Sequence, residues 1–220
     1  MKSSDSVEII YSDNHLLVVS KPAGMLTQPD EQSDAEDAET FCKSWIKHKF
    51  HKKGAVFLHA IHRLDKPVSG LLLFARTSKA LSRLNEQSRN LEIQKVYLAE
   101  VEGEIKTAEG RLDHYLIHGD HRAIVSKEGA PEAKHARLTY QIIEKTPRTT
   151  FVRIELETGR YHQIRAQFSA IGHPIIGDVR YGAKQAPDEA IHLHCSQLLL
   201  KHPVTQELLS FETPAPFAPS

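Results

Sequence analysis

The sequence predicts an α+β fold: a large, mostly antiparallel mixed sheet flanked by helices and loops. Two observations carry this expectation. Apolar residues alternate with polar ones, or run unbroken for a few positions, along most of the chain. Helical spacing is confined to three segments, and these stand apart from the strand blocks instead of alternating with them.

The first elements read as a hairpin, VEIIY at 7–11 and HLLVVS at 15–20, turning at Ser12-Asp13-Asn14 and closed by Lys21-Pro22. Thr40 is placed to cap a helix with Phe41, Trp45 and Ile46 on one face. A buried strand, VFLHAI at 56–61, leads into a polar loop over 62–69, and GLLLFA at 70–75 leads out of it. Ser78 then caps a second helix, with Leu81 and Leu84 inward, running to about Asn90. KVYLAEVEG at 95–103 alternates so that Lys95, Tyr97, Ala99 and Val101 share a face. HARLTYQIIEK at 135–145 and TFVRIELE at 150–157 read as neighbouring antiparallel strands, with Val152, Ile154 and Leu156 on one side. After a break at Thr158-Gly159-Arg160, a third helix turns Ile164, Phe168 and Ile171 inward and stops at Gly172 and Pro174. SQLLLKH and ELLSFE close the chain around a turn at 203–206. No repeat and no boundary between independent domains is visible, so one domain over 1–220 is expected.

Hydrophobic residues make up 40% and charged residues 25% of the 220, an ordinary globular composition. No stretch approaches the ~18 consecutive apolar residues that span a bilayer, and the N-terminus lacks the pattern of a secretion signal. Cys42 and Cys195 are too few for a disulfide framework. A reduced, cytoplasmic protein without a membrane partner is the expectation.

The formal net charge is zero, which conceals an uneven distribution. Asp30, Glu31, Asp34, Glu36, Asp37 and Glu39 form an acidic run at 30–39, read as a mobile loop. Residues 40–64 then hold Lys43, Lys47, Lys49, Lys52, Lys53 and Arg63 without an acid. Such a stretch is either a solvated charged face or a phosphate contact. The next acid is Asp65.

Asp65 lies in a polar loop between two apolar runs, a placement common for catalytic groups. Arg63 and Lys66 beside it favour the ionised carboxylate, which can act as nucleophile or base. It can equally be an Asp that braces the turn. In a second cluster, Thr158 to Arg165, Gly159 permits a tight turn and His162 and Arg165 lie one helical turn apart. Arg165 there reads either as an anion contact or as a surface arginine.

HRLDKPVSGLLLFA at 62–75 resembles the catalytic motif of the RluA-type RNA pseudouridine synthases. Three further stretches are similar to that family's motifs in the family's order. They are KVYLAEVEG, LETGRYHQIRAQFSAIGHPIIGDVRYG and IHLHCSQLLLKHPVTQELLSFETPAP. The resemblance spans most of 7–216. Val68 and Tyr161 depart from residues usual in the family, which bears on the rim of the pocket and on substrate preference more than on reaction class.

The resemblance implies the pseudouridine synthase catalytic fold and isomerisation of uridine to pseudouridine in structured RNA, either rRNA or tRNA. It implies Asp65 as the essential carboxylate, Tyr97 as the residue that stacks on uracil and assists proton removal at C5, and Arg165 as the ion-pair partner of Asp65. His62, Arg63 and Lys95 are assigned to substrate binding, with Arg63 filling the space that the target base vacates. No cofactor and no metal is implied, no obligate protein partner is expected, and the protein is expected to be a monomer. The family often carries an N-terminal RNA-binding domain. Only about six residues precede the first strand here, so no separate domain of that kind is expected.

Two competing readings are a non-catalytic RNA-binding protein of the same fold, which has no need of a lone carboxylate among cations, and a glycoside-type hydrolase, which needs a second carboxylate. His192, His194 and Cys195 have the look of a metal cluster, but Ile191 and Leu193 alternate with them as in a structural strand, and a further ligand of known position is missing. The chain has no phosphate-binding Gly-rich loop and no dinucleotide fingerprint.

Overall fold

In a computed structural model of the chain, the first strand pair forms where the pattern predicts it. β1 (Glu8–Ser12) pairs antiparallel with β2 (Leu16–Lys21). Asp13 closes the turn, its Oδ1 accepting from the backbone N–H groups of His15 and Leu16, both at 2.7 Å. The structure describes residues 6–30, 35–186 and 190–218. These fall into two compact units, Met1–Ile93 with Cys195–Thr213, and Gln94–His194 with Pro214–Ser220.

In the first unit, α1 (Ala38–Lys49) follows the hairpin. Its N-cap is Asp37, whose side chain accepts from the Thr40 N–H at 2.8 Å, so Thr40 lies inside the helix and does not cap it. The end of the acidic run is therefore structural, because Asp37 caps and Glu39 is buried and paired with Lys43 at 2.6 Å. The heart of the expected mobile loop, 31–34, lies outside the described residues. The inward stripe of α1 is Ala38, Cys42 and Ile46, while Phe41 is exposed and Trp45 half-buried. Burial of Cys42 pushes its thiol up to about 12. The apolar residues thus fit two helical faces, and the one carrying the small residues won.

VFLHAI forms only a two-residue strand, β3 (His59–Ala60), with Leu58 buried and Phe57 and His59 exposed. Its expected burial fails because it is short and pairs only with β4 (Ser69–Ala75). β4 is buried at every position and pairs antiparallel with β2. α2 (Ser78–Arg89) is capped by Thr77, one residue earlier than expected. It buries Ala80, Leu84 and Gln87, with Leu81 only half-buried.

The second unit carries the antiparallel strands β5 (Gln94–Glu102), β6 (Glu109–His118), β7 (Ala123–Ser126), β8 (Lys134–Lys145) and β9 (Thr149–Leu156), in the order β5-β9-β8-β6-β7. β8 and β9 are neighbours as expected, and Val152 and Ile154 are fully buried. α3 (Gln163–Ala170) lies against β6 and β7, with Phe168 edge-on to Tyr140 at 5.7 Å. β10 (Leu193–Lys201) begins in this unit and finishes in the first, where it pairs with β11 (Leu208–Glu212) as the last hairpin. The pairs β1–β2, β2–β4, β3–β4, β5–β9, β8–β9, β6–β8, β6–β7 and β10–β11 are antiparallel, and among the described residues three α-helices accompany eleven strands, which is the α+β class expected.

Candidate active site

Asp65 sits in a loop whose two ends are fastened within the first unit. On the entry side, Ile61 N–H donates to Leu73 O at 2.9 Å, and His62 Nε2 accepts from Leu73 N–H at 3.3 Å. The buried Thr27 then grips Leu64 twice. Its hydroxyl donates to Leu64 O at 2.8 Å and accepts from Leu64 N–H at 3.0 Å. The loop turns by Val68 N–H donating to Asp65 O at 3.0 Å, and Gly24 N–H fixes Lys66 O at 2.8 Å. On the exit side, Gly70 has φ +115°, and a Cβ there would stand 2.5 Å from the Cys195 amide nitrogen. Only glycine fits where β4 passes β10 so closely.

Lys21, at the end of β2, is 0% exposed. Its Nζ donates to Pro22 O at 2.9 Å, Met25 O at 2.8 Å and Lys66 O at 3.4 Å. Three acceptors match the three protons of an ammonium. Burial nevertheless pushes its pKa down to about 7, and the negative charge of Asp65 acts against that shift. Lys21 is thus a buried basic group that feels the charge of Asp65. Arg63 and Lys66, the neighbours credited with that role from the sequence, are both exposed. Sequence reasoning passed over Lys21 and Thr27. A lysine ending an apolar strand just before Pro-Ala-Gly was the available signal.

In the second unit, Tyr97 is buried on β5 opposite Ile154, and Lys95 is half-buried at the start of that strand. Arg165 is not a surface arginine. Its side chain is 4% exposed and donates through Nε to Asp178 Oδ2 at 2.7 Å and through Nη2 to Asp178 Oδ1 at 2.8 Å, with Asp178 1% exposed. Such a bidentate pair fixes the plane of the guanidinium. The Tyr181 ring lies 5.1 Å from the Arg165 guanidinium carbon, and its hydroxyl lies 3.1 Å from His162 Nδ1.

His162 does not share a helical face with Arg165. It precedes α3 in the left-handed region at φ +49° and stacks on Tyr161 at 3.8 Å. Burial, then the charges of Arg165 and Arg180, push its pKa down to about 3, so it is a neutral imidazole at neutral pH. Asp178 follows Gly177, whose φ is +79° and whose Cβ would run into the Ala190 carbonyl. The Gly-Asp pair was visible in the sequence, but nothing there tied it to Arg165.

His192 Nδ1 pairs with Glu100 Oε2 at 2.6 Å, and its ring stacks on Phe217 at 4.7 Å. Cys195 and His194 are buried in β10. Among the described residues, no group of three or more His, Cys, Asp or Glu side chains is arranged to hold a metal ion, and no helix is long and apolar enough to cross a membrane.

Residues 15–170 match the model of the RNA pseudouridylate synthase family. The chain is 36% identical over 214 residues to the dual-specificity RNA pseudouridine synthase RluA of Pasteurella multocida, covering 96% of this chain and 94% of that protein. It is 33% identical over 213 residues to the protein of the same name from Escherichia coli, covering 95% and 93%. Among solved structures, human RNA pseudouridylate synthase domain containing 4 superposes with a TM-score of 0.79 at 22% identity, over 96% of this chain and 89% of that one, a likeness of fold. With its sequence matched from the strand before the Lys21 loop to the end of α3, the chain belongs to the RNA pseudouridylate synthase family.

Proposed function

We propose that this protein isomerises uridine to pseudouridine in RNA with Asp65 as its essential carboxylate. The reading rests on family membership together with one observation: Asp65 stands on a loop fastened at both ends, and the buried Lys21 that holds the Lys66 carbonyl of that loop feels its charge. A loop fastened this way has little backbone reorganisation to make before reaction.

The reaction breaks the bond between N1 and C1′, turns the uracil, joins C5 to C1′, and moves the C5 proton away while N1 gains one. Atoms and electrons balance without a redox partner. Asp65 serves either by attacking C1′ or by taking a C2′ proton to give a glycal, and a deuterium isotope effect at C2′ distinguishes the two. Tyr97 is assigned to stacking on the displaced base and to the C5 proton. Arg165 is assigned to pairing with Asp65, with Asp178 holding its guanidinium plane. Arg63, His62 and Lys95 are assigned to RNA contacts. The target base has to leave its stack, which costs a few kcal/mol that stacking and phosphate contacts offset.

The substrate is rRNA or tRNA, and the protein works as a cytoplasmic monomer, a state that light scattering in solution tests. The deciding experiment is tritium release from 5-³H-uridine-labelled rRNA and tRNA. Wild type should release tritium while keeping the base attached. Asp65→Asn should bind RNA, keep its melting temperature and release none. Substantial turnover by Asp65→Asn removes that carboxylate from the reaction.

A further inference from the structure

The C-terminal turn of α1 carries an arrangement that helix stability does not explain. Cations in a last helical turn offset the negative end of the helix dipole, which accounts for Lys47, His48 and Lys49. The dipole does not account for residues 51–53. Lys52 N–H donates to Lys47 O at 3.1 Å and His51 N–H to His48 O at 3.3 Å, so the helix ends in a Schellman motif.

The left-handed position of such a motif is usually glycine, and the residues flanking it usually meet through an apolar contact. Here the left-handed residue is His51 at φ +48°, and the two residues brought together by the backbone bond are lysines. The motif therefore sets like charges side by side and keeps a side chain where glycine is easier. Lys53 adds a further charge. Lys43 is neutralised by Glu39, but no ion pair involves Lys47, Lys49, Lys52 or Lys53 among the described residues.

Aromatic rings stand among these charges. Phe50, the C-cap residue, is 44% exposed, with the Arg76 guanidinium 4.7 Å from its ring centre and the Trp45 ring edge-on at 6.2 Å. Lys49 Nζ lies 4.6 Å from the centre of the Trp45 ring. Clustered lysines without an ion pair among the described residues, beside an exposed Phe50 ring, suit one kind of ligand: a phosphate chain whose bases are free to stack.

We propose that this turn, residues 45–53 with Arg76, is a contact for an unpaired stretch of the RNA substrate, separate from the loop of Asp65. The inference rests on the reading of the chain as an RNA-modifying enzyme. Lys47, Lys52 and Lys53 hold phosphates, and Phe50 takes a base on its exposed side.

The test combines filter binding at several salt concentrations with tritium release at saturating RNA. The probes are 5-³H-uridine-labelled tRNA and rRNA transcripts, a short oligouridylate, and an RNA duplex of matched length. The triple variant Lys47→Gln, Lys52→Gln, Lys53→Gln should bind the transcripts roughly 10- to 100-fold more weakly, with a salt slope flatter by about 0.7 for each lost contact. Phe50→Ala should weaken oligouridylate binding roughly 5- to 100-fold with the salt slope unchanged and little effect on the duplex. Turnover at saturation should equal that of wild type for both. Superimposable binding curves for wild type and the triple variant, or equal losses by Phe50→Ala on duplex and oligouridylate, overturn the proposal. If wild type releases no tritium from any RNA, the isomerase reading fails, and the binding comparison still decides this one.

Discussion

Lys21→Met should abolish a rise in stability between pH 7 and 9. In the folded protein burial pushes Lys21 down to about 7 from an ordinary 10.5. A lysine in the unfolded chain keeps its proton until well above pH 9, so the unfolded state binds more protons throughout this interval. Stability must then increase with pH. Each unit of pH contributes about 1.4 kcal/mol per proton of difference. With the folded lysine half-deprotonated at pH 7, the gain by pH 9 is about 2 kcal/mol, or ~4–8 °C in Tm for a chain of this length. The other strongly shifted groups contribute little here and equally to both proteins. His162, pushed down to about 3, has given nearly its whole contribution by pH 7, and Cys42, pushed up to about 12, begins to lower stability from about pH 8, by roughly 0.4 kcal/mol at pH 9. Urea unfolding of wild type and Lys21→Met at half-unit steps of pH measures the slope. Equal slopes refute the reasoning and mean that Asp65 and the three carbonyls hold the ammonium at full strength.

Gly70→Ala should destabilise by roughly 3 kcal/mol, because the added methyl meets the Cys195 backbone and the positive φ disfavours it; the urea midpoint reads this directly. Asp178→Ala removes the bidentate acceptor of a buried guanidinium and should cost about 3–5 kcal/mol in the same assay, with Asp178→Asn recovering part through its remaining acceptor. Tyr97→Phe should keep RNA affinity and lose turnover, whereas Tyr97→Leu should also lose ~1–3 kcal/mol of binding to RNA carrying the target base. Wild-type turnover by Tyr97→Phe limits that residue to stacking.

Where one period dominated, the sequence was legible. The hairpins at both ends, the fully buried β4 and the β8–β9 pair follow from alternation or an unbroken apolar run. β6 and β7 were not read as strands, since Asp113, His114 and Tyr115 blur the alternation in β6 and β7 is only four residues long. The face of α1 was misassigned because Phe41 and Trp45 outweigh Ala38 and Cys42 in bulk, whereas close packing favoured the small residues. Caps moved by one to three residues because Asp37 and Thr77 compete with Thr40 and Ser78 for the same donors.

The motif around Asp65 could be read, but its supports could not. Lys21, Thr27 and Asp178 act through burial and long-range hydrogen bonds that spacing does not encode. The same limit left the lysine stretch open between a solvated face and a phosphate contact, since only the structure separates Lys43, tied to Glu39, from the lysines beyond it.

Gly70 and Cys195 meet across a long interval of chain, and protein synthesis is vectorial. When β4 leaves the ribosome, the strand that passes Gly70 has not yet been made, and the segment Gln94–His194 of the second unit is translated in between. At about 5–20 residues per second that delay is roughly 5–25 s. Throughout it, the run LLLF of β4 has β2 and the short β3 for company but not β10. The nascent chain therefore carries an unpaired apolar edge beside its Asp65 loop, the kind of edge that is prone to wrong pairing. A ribosome stalled before residue 195 would hold a chain bearing every residue of the Asp65 motif with the strand that packs against its exit at Gly70 still missing.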